Sequence, residues 1–473
     1  MPDDPRAGQV PKLDPAAVRA FAAAFDGEVL DPGTPGYEAA AVVHQQRATA
    51  APRLIVRPAR AAAVADAIAF ARAHGLEIAV RAGGHSAAGH GTGDGVLVID
   101  MRGMAAVRVD PEARRARAEG GTLAGALVRA AGEHGMTVAL GDNATVGIAG
   151  ITLGGGVGYL SRAHGLTIDS LLAVELVTAD GRVVTASATS EPELFWALRG
   201  GGGNFGVVTA LEYRMIPAGM VYGGALVLPA TRDVLVSVAR LADNAPRELG
   251  VLVNVMPAPP APFVPAEAIG KPAVMVVGVY NGDAAAGAAA WAPFRALATP
   301  IADTVGPLPY PAIYRFSEAA SRPMTTADRS TFVDVLDDDV AGFLLDAFAL
   351  SPGVQTIIQL RVLGGAVADT PADATAYGHR DARLLVVAIA AAATPDGAAA
   401  VIAWADAVLA GLQPRGTGVY VSFLEDEGDA RIRAAYPADT LSRLSRVKAA
   451  WDPDNVFHHN QNIAPSVSGI GVG

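Results

Sequence analysis

Residues 145–181 read TVGIAGITLGGGVGYLSRAHGLTIDSLLAVELVTADG, and this stretch decides the fold. Six glycines lie between positions 147 and 158 among apolar residues. Each would cost roughly 1 kcal/mol inside a regular helix or strand, so the pattern indicates backbone that passes under a large flat ligand. A tightly packed crossover inside a core is the alternative interpretation. The following residues, LLAVELVTADGRVVTAS, predict a hairpin around Asp180-Gly181.

Two more glycine-rich loops flank this stretch, RAGGHSAAGHG at 81–91 and GGGGNFG at 200–206. Consecutive glycines after a strand can direct N–H groups at phosphate oxygens, and Arg81 suits a pyrophosphate. A surface turn is the alternative for the first loop. Residues 201–206 match G-x-G-x-x-G, but a predicted helix precedes them and a strand follows. The dinucleotide fingerprint requires the reverse order, which argues against a nicotinamide-dependent dehydrogenase.

The composition excludes several classes of function. The 473 residues carry a formal net charge of −11, so nucleic acid and anionic membrane partners are not expected. The chain has no cysteine, which removes disulfides, thiol nucleophiles and thiolate metal sites. No metal site is expected either, because adjacent His458 and His459 would lie on opposite faces of a strand.

The N-terminus lacks the apolar region of a signal peptide. The apolar run at 384–393 is too short to span a bilayer. We therefore expect a cytoplasmic protein.

The sequence pattern changes after Pro217. The apolar runs PAVMVVGVY, VQTIIQLRVLGG, RLLVVAIAAAA and GVYVSFLED alternate with alanine-rich helical stretches. They predict an antiparallel sheet that carries helices, distinct from the first 217 residues. The chain is therefore assigned to the α+β class.

Four segments resemble a known family in sequence, order and spacing. They are VRAGGHSAAGHG at 80–91, residues 145–181, LFWALRGGGGNFGVVT at 194–209 and DPDNVFHHNQNI at 452–463. These resemble the flavin loops of FAD-linked oxidases of the vanillyl-alcohol oxidase superfamily, and more narrowly the bacterial branch of the berberine-bridge-enzyme-like family. The resemblance extends from about Pro52 to Pro465.

The resemblance implies a PCMH-type, two-part FAD-binding domain and a substrate domain with an antiparallel sheet covered by helices. The implied FAD-binding domain is 1–217, with its core at about 50–217. The implied substrate domain is 218–410, and 411–473 returns to the FAD domain.

The resemblance also assigns residues to the flavin. His85 is implied to bond covalently to the flavin 8α-methyl group. Many relatives add a cysteinyl bond from G-x-C-P-T-V-G, but Asn143 stands at that position in GDNATVG. We therefore expect mono-covalent FAD. The further implied FAD contacts are Arg81, Ala82, Gly83, Gly84, Ser86, His90, Gly141, Thr145, Val146, Gly147, Gly150, Gly155, Gly156, Gly158, Tyr159, Gly206, Val207, Val208, Tyr420, Asn460 and Asn462.

The flavin implies hydride transfer to N5 from a C–H next to oxygen or nitrogen. An alcohol substrate also needs a base for its hydroxyl proton, whereas a neutral amine needs none. Relatives often carry Y-x-N-Y, and this chain reads Tyr420-Val421-Ser422-Phe423. If this segment is a strand, Tyr420 and Ser422 share a face and Phe423 points away. Tyr420, with a pKa lowered by nearby positive charge, is one candidate base.

His379 or Tyr377 in AYGHR is a second option for the base, and no base at all is the third. We expect Gln359, Arg361 and Ser422 to contact substrate.

The resemblance places Val146 beside the flavin C4a edge, where a small residue accompanies access of O2. This favours an oxidase that produces H2O2 and acts on a small organic molecule. A dehydrogenase of the same fold with another electron acceptor, and a flavin-binding protein without turnover, remain alternatives. The expected partners are the substrate and O2, and the expected assembly is a monomer or homodimer.

Overall fold

The first sheet combines short buried strands with one long helix. In the computed structural model, which describes residues 13–46 and 50–466, RLIVRP forms the strand Leu54–Pro58. In spatial order the strands of this sheet are Gly27–Leu30, Leu54–Pro58, Leu97–Asp100 and Ile78–Arg81. The first pair is antiparallel and the other two pairs are parallel. Helix Ala61–Ala73 packs Val64 and Ile68 on this sheet, as the apolar spacing predicts.

The second sheet contains the predicted hairpin. Its two strands pair antiparallel around the Asp180-Gly181 turn, where Gly181 has a φ of 84°. In spatial order the strands of this sheet are Val107–Asp110, Arg115–Glu119, Val207–Arg214, Leu171–Val177 and Val183–Ser187. A short antiparallel pair joins Met136–Thr137 to Ile216–Pro217. The glycine-rich stretch therefore runs directly into the sheet that supports it.

Most helices before residue 217 are short because turns and glycines interrupt them. The α-helices are Pro15–Ala24, Tyr37–Ala41, Ala61–Ala73, Ala124–Gly132, Ile148–Gly154, Ser161–His164, Thr167–Ser170 and Pro192–Ala197, and Met101–Gly103 is a 3-10 turn. Helix Ile148–Gly154 ends where Gly155 and Gly156 adopt φ values of 131° and 83°. Only glycine adopts these values at low cost, which explains the glycine run at this point.

The apolar runs after Pro217 form one large antiparallel sheet. In spatial order its strands are Ala302–Asp303, Met220–Pro229, Pro272–Tyr280, Leu249–Pro257, Gln355–Val362, Leu384–Ala392, Thr325–Val333 and Gly416–Thr417, and Gly306–Pro309 also pairs with Met220–Pro229. The remaining helical segments are Arg232–Asp243, Ala284–Arg295, Tyr310–Ser321, Asp338–Ala349, Ala366–Asp369, Pro395–Gly397, Ala398–Leu412, Gln413–Arg415, Val421–Phe423, Asp429–Ala434 and Ala438–Trp451. The sheet and its helices agree with the prediction.

The two faces of this sheet are used differently. Along Leu249–Pro257, Val251, Val253 and Val255 join a buried cluster with the helices that cover the sheet. The alternate residues, Leu252 and Asn254 among them, line a cavity on the opposite face. Period-two alternation therefore separates a covered face from a face that is available to a ligand.

One predicted strand is wrong. GVYVSFLED, residues 418–426, contributes no residue to the sheet. The last strand, Gly416–Thr417, ends just before it, and Val421–Phe423 forms a 3-10 turn. Gly418 has a φ of 72°, which ends the extended backbone just before Tyr420. The expectation that Phe423 points away from Tyr420 and Ser422 fails with the strand, because all three line the cavity.

The segment Pro395–Arg415 is long and apolar enough to cross a membrane by length and composition alone. Its central helix instead packs Val401, Trp404 and Val408 into the cluster that covers the large sheet. A core helix passes the same test of length and hydropathy.

The α+β architecture is confirmed. The large sheet begins at Met220 and its last strand ends at Thr417. The domain boundaries of 1–217, 218–410 and 411–473 stay a prediction.

Candidate active site

A cavity of about 460 Å³ lies between the glycine-rich loops and the large sheet. On one side are residues of 81–91, 141–159 and 200–206, which we call the glycine floor. On the other side are side chains of the large sheet, which we call the sheet roof. The sheet roof comprises Leu252, Asn254, Met256, Met275, Val277, Asp328, Gln355, Ile357, Gln359, Arg361 and Ile389.

Backbone contacts without intervening side chains hold the glycine floor together. A Cβ on Gly83 would lie 2.3 Å from the backbone nitrogen of Gly147, and a Cβ on Gly147 would lie 2.3 Å from that of Gly83. In contrast, Cβ atoms on Gly150 and Gly203 would meet nothing within 4 Å, although both residues line the cavity. The first pair of glycines joins two loops, and the second pair leaves room above the backbone.

His85 lies in the glycine floor and is held by two neighbouring residues. Its Nε2 lies 2.8 Å from Thr145 Oγ1, and its ring stacks on His44 with centroids 4.6 Å apart. Burial, with a smaller contribution from the charge of His44, lowers the pKa of His85 to about 4. The imidazole is therefore neutral at pH 7.

Arg81 lines the cavity, but its guanidinium is directed to a carboxylate. Its Nη2 donates to Asp100 Oδ2 at 2.9 Å, and both side chains are almost fully buried. Asp100 also accepts from Arg57 and Arg102, and these cations hold the pKa of Asp100 well below its usual range. The charge of Arg81 is thus engaged in a buried ionic cluster rather than presented to a pyrophosphate.

The C-terminal segment closes one end of the cavity. Lys448 and Asp452 form a fully buried ion pair at 2.6 Å, and Lys448 Nζ also donates to the carbonyls of Asn204 and Phe457. These bonds fasten the segment to the third glycine loop. Asn460 Nδ2 donates to the Gly203 carbonyl at 3.2 Å, which places Asn460 at the cavity.

The sheet roof contains an amide pair whose orientation is fixed by a carbonyl. Asn254 Nδ2 donates to the Met275 carbonyl at 3.3 Å, so Asn254 Oδ1 faces Gln359. Gln359 Nε2 donates to that oxygen at 2.8 Å. Within the described residues, Gln359 Oε1 is a buried acceptor without a hydrogen-bond partner. Gln359 therefore offers an unsatisfied acceptor beside the cavity.

The only arginine of the sheet roof within the described residues is neutralised. Arg361 makes a bidentate pair with Asp142 at 3.0 and 3.1 Å, and Arg361 Nη1 donates to the Val157 carbonyl. Its guanidinium carbon lies 5.0 Å from the centre of the Phe423 ring. These partners leave Arg361 poorly suited to bind a substrate carboxylate.

Tyr420 lies at the cavity as a buried neutral phenol. Gly156 N donates to its hydroxyl oxygen at 2.8 Å. Burial raises the pKa of Tyr420, and the lowering effects of Ser422, Gly156 and Arg361 do not reverse this shift. The expected lowering of the Tyr420 pKa is therefore wrong, because loss of solvation outweighs nearby charge.

The other two candidate bases lie outside the cavity. His379 Nε2 lies 3.2 Å from the Ala434 carbonyl, and its ring packs on Phe332 with centroids 4.9 Å apart. Tyr377 packs beneath Gly155, and burial raises its pKa well above the ordinary value. Neither residue lines the cavity.

The structure brings most of the expected site residues together. Those that line the cavity are Arg81, Ala82, Gly83, Gly84, His85, Ser86, His90, Val146, Gly147, Gly150, Tyr159, Gly206, Val208, Tyr420, Asn460, Gln359, Arg361 and Ser422. Those that do not are Gly141, Thr145, Gly155, Gly156, Gly158, Val207, Asn462 and His379. Two of these residues instead hydrogen-bond a residue that lines the cavity: Thr145 contacts His85, and Gly156 contacts Tyr420.

Sequence reasoning missed Asp142, Asn254 and Met275. Asp142 directly precedes Asn143 in GDNATVG, and its pairing with Arg361 crosses 219 positions of sequence. Asn254 was detectable as one polar residue within the apolar run LGVLVNVMP. Met275 contributes through its carbonyl, for which the sequence carries no signal.

The residues of the glycine floor fit a flavin dinucleotide. Open space above Gly150 and Gly203 leaves room for a flat ring, and the neutral His85 lines the same cavity. Within the described part of the chain, His90 Nδ1 and Asn460 Oδ1 are buried atoms at the cavity without hydrogen-bond partners. Such atoms cost free energy unless a ligand satisfies them. A polar ring system such as the flavin would do so.

Comparison with known proteins agrees with this geometry. The family model described as FAD binding domain matches residues 52–187, and the one described as Berberine and berberine like matches residues 420–464. The chain is 32% identical to (R)-6-hydroxynicotine oxidase of Paenarthrobacter nicotinovorans, over 94% of this chain and 98% of that protein.

Solved structures give the same result. The crystal structure of 6-hydroxy-D-nicotine oxidase from Arthrobacter nicotinovorans matches with a TM-score of 0.82 and 28% identity, over 94% of this chain and 99% of that one. Physcomitrella patens BBE-like 1 matches with a TM-score of 0.84 and 25% identity, over 95% and 99% of the two chains.

Fold, cavity and relatives define an FAD-dependent oxidoreductase. The chain belongs to the berberine-bridge-enzyme-like family of FAD-linked oxidases, with the PCMH-type FAD-binding fold.

Proposed function

We propose that this enzyme is an oxidase that removes hydride from a carbon next to an amine nitrogen and passes the electrons to O2, forming H2O2. The bound flavin supplies the hydride acceptor at N5. The observation that carries the choice of an amine is the state of Tyr420. Its phenol is fully buried and its pKa is raised, so it holds its proton at neutral pH.

An alcohol substrate would need a residue to accept its hydroxyl proton. Of the bases expected from the sequence, His379 and Tyr377 do not line the cavity, and His85, which does line it, is the proposed attachment point of the flavin. A neutral amine gives up hydride without such a base. The relative named (R)-6-hydroxynicotine oxidase supports the same substrate class.

The sheet roof supports a neutral or cationic substrate that carries a hydrogen-bond donor. Because Asp142 already neutralises the charge of Arg361, the sheet roof offers no free positive charge of Arg361 to an anionic substrate. Gln359 Oε1 can accept from an N–H or O–H group of the substrate. Met256, Met275 and Ile357 give the same space apolar walls.

We further propose that FAD is bound covalently through His85 and that O2 is the electron acceptor. His85 lines the cavity as a neutral imidazole, as a nucleophile must be. The chain has no cysteine, so a second, cysteinyl bond is impossible. Val146 lines the cavity at the position where the family resemblance implies access of O2 to the flavin C4a edge.

The substrate class is tested by anaerobic bleaching of the flavin absorbance. The compounds are 6-hydroxynicotine, other secondary and tertiary amines, simple alcohols and oligosaccharides. We expect bleaching by amines alone, and one H2O2 per substrate after air is admitted. Bleaching by alcohols or sugars would contradict the amine proposal. Bleaching by amines without H2O2 would indicate a dehydrogenase, and no bleaching by any class would favour a protein without turnover.

The role of Tyr420 is tested with Tyr420→Phe in the same assay. Loss of a general base typically slows a reaction by about 10²- to 10⁴-fold. We expect the rate of flavin reduction by an amine to fall by less than about tenfold, because the phenol does not accept a proton. A loss of about 10²-fold or more would restore Tyr420 as the base.

Covalent attachment is tested by acid precipitation of the purified protein. A yellow pellet for the wild type and a colourless pellet for His85→Ala are expected. A colourless wild-type pellet from yellow protein would retain FAD as the cofactor and exclude the covalent bond.

A further inference from the structure

A short chain of hydrogen bonds determines which nitrogen of His85 carries its proton. Asn143 Oδ1 accepts from the backbone N–H of Thr145 at 2.9 Å, which identifies that side-chain atom as the oxygen. The Thr145 hydroxyl lies 2.9 Å from the same oxygen and donates its single proton there. Thr145 Oγ1 can then only accept from His85 Nε2, 2.8 Å away. His85 is therefore held with its proton on Nε2 and a lone pair on Nδ1.

We propose that Asn143 and Thr145 are positioning residues that fix this tautomer, so that Nδ1 of His85 forms the bond to the flavin. The inference rests on the proposed covalent attachment through His85. Asn143 occupies the position at which many relatives carry the cysteine of a second flavin bond. In this chain the position instead orients the single attachment.

Two further observations support this role. Burial keeps His85 neutral at pH 7, because its pKa is lowered to about 4, so the lone pair on Nδ1 is available. The loop of His85 and the loop of Thr145 are also fixed to each other. A Cβ on Gly83 would lie 2.8 Å from the Thr145 carbonyl oxygen, so the two segments are in direct contact.

The attachment step balances with O2 as the oxidant. The Nδ1 lone pair forms a bond to the 8α carbon, and one C–H bond of the methyl group breaks. The two electrons of that bond reduce the flavin, which takes up two protons, equal in number to those released from the methyl carbon and from Nε2. O2 then reoxidises the flavin and is reduced to H2O2.

The first test compares Thr145→Val with Thr145→Ser. Apoprotein from riboflavin-starved cells is incubated with FAD, and covalent flavin is measured as fluorescence of the denatured band on a gel. Thr145→Val should bind FAD but attach it at least about tenfold more slowly, the usual scale for loss of a partner that orients a histidine. Thr145→Ser keeps the hydroxyl and should attach FAD at close to the wild-type rate. Equal rates for Thr145→Val and the wild type would overturn the inference.

The second test compares Asn143→Ala with Asn143→Asp. The alanine variant frees the Thr145 hydroxyl to donate to His85 Nε2, which would move the imidazole proton to Nδ1, so attachment should slow by a similar factor. The aspartate variant still accepts from both Thr145 groups and should attach normally. If Thr145→Val fails to fold, this pair decides. An alanine variant that attaches FAD at the wild-type rate would contradict the proposal.

The third measurement identifies the nitrogen directly. In NMR spectra of the flavin peptide from the wild type, the 8α protons should correlate with imidazole Cγ and Cε1. Correlation with Cδ2 and Cε1 would show attachment through Nε2 and overturn the inference. Absence of any covalent flavin in the wild type would instead disprove the covalent part of the proposed function, which distinguishes the two failures.

Discussion

The glycine floor and the sheet roof enclose the same cavity, but they are built differently. The floor is formed by backbone segments in direct contact. A Cβ added at Gly83 or Gly147 would lie only 2.3 Å from the backbone nitrogen of the other residue. The roof is built from side chains, and Gln359 and Arg361 are held there by partners on other elements. A surface made of backbone suits a ligand of fixed shape. A surface made of side chains can be adapted to a different substrate by substitution of those side chains, without a change in the sheet that carries them.

The largest expected effect comes from the attachment of the C-terminal segment to the floor. Lys448→Met removes the partner of Asp452 and leaves a carboxylate in a fully buried position. Removal of one member of a buried ion pair typically costs about 3–5 kcal/mol. We expect a loss of this size in the urea unfolding of the holoenzyme.

The control for Lys448→Met is Arg446→Met, an exposed position on the same helix. Its free energy of unfolding should change by less than about 0.5 kcal/mol. Equal stability of the two variants would show that the buried pair does not hold the floor.

Substitutions of glycines in the floor should separate its internal contacts from its surface. Gly83→Ala places a methyl group against the Gly147 backbone, which cannot give way as a side chain can. We expect a destabilisation at or above about 1–3 kcal/mol and a low flavin-to-protein ratio. Gly150→Ala meets nothing within 4 Å and should fold normally, although its methyl group enters the ligand space. Equal melting temperatures for the two variants would argue against the backbone contact.

In the roof, substitutions should affect substrate rather than cofactor. Gln359→Leu removes the buried acceptor, and loss of one hydrogen bond of about 1–1.5 kcal/mol should raise KM for an amine about tenfold. The flavin content of the holoenzyme should stay close to wild type, whereas its melting temperature should fall because Asn254 Oδ1 loses its donor. Gln355→Leu, on the same strand and also at the cavity, is the matched control. A lower flavin content in Gln359→Leu would contradict the division between floor and roof.

The smallest expected effect is a pH dependence that originates in the floor. Burial, reinforced by the charge of His459, lowers the pKa of His90 to about 4. The unfolded chain takes up this proton near pH 6.5, so unfolding is favoured as the pH falls from 6.5 towards 4. Between pH 7.5 and pH 6 the His90 contribution is about 1 kcal/mol.

This effect is measured as the difference between wild type and His90→Gln in urea unfolding at each pH. The variant should lose less stability than the wild type on acidification. Parallel curves for the two proteins would show that His90 is not the group responsible.

The sequence predicted the floor far better than the roof, for a physical reason. A backbone surface needs glycine at fixed positions, so the loops at 81–91, 145–158 and 200–206 leave a readable pattern. The helices and the large sheet were predicted equally well, from the periodicity of apolar residues. In the roof, Gln359 and Arg361 were found through strand alternation, but their partners Asn254 and Asp142 were not.

The errors arose where tertiary context overrides local pattern. YVSF has the composition of a strand, yet it forms a 3-10 turn that presents Ser422 and Phe423 to the cavity. Nearby positive charge was expected to lower the pKa of Tyr420, but burial has the larger effect and raises this pKa. His379 was a plausible base in sequence and lies against Ala434 instead. Burial of this kind depends on segments far apart in the chain and is not encoded in any one of them.

The bond from Lys448 to the Asn204 carbonyl joins positions that are 244 residues apart. Closing so large a loop has an entropic cost that is recovered only when the contact is made, and such contacts form late in folding. During synthesis, the third glycine loop must therefore wait for most of the chain to leave the ribosome before it can take its final position. Stable capture of the cofactor should be among the last events in the maturation of this protein, after both sheets have formed.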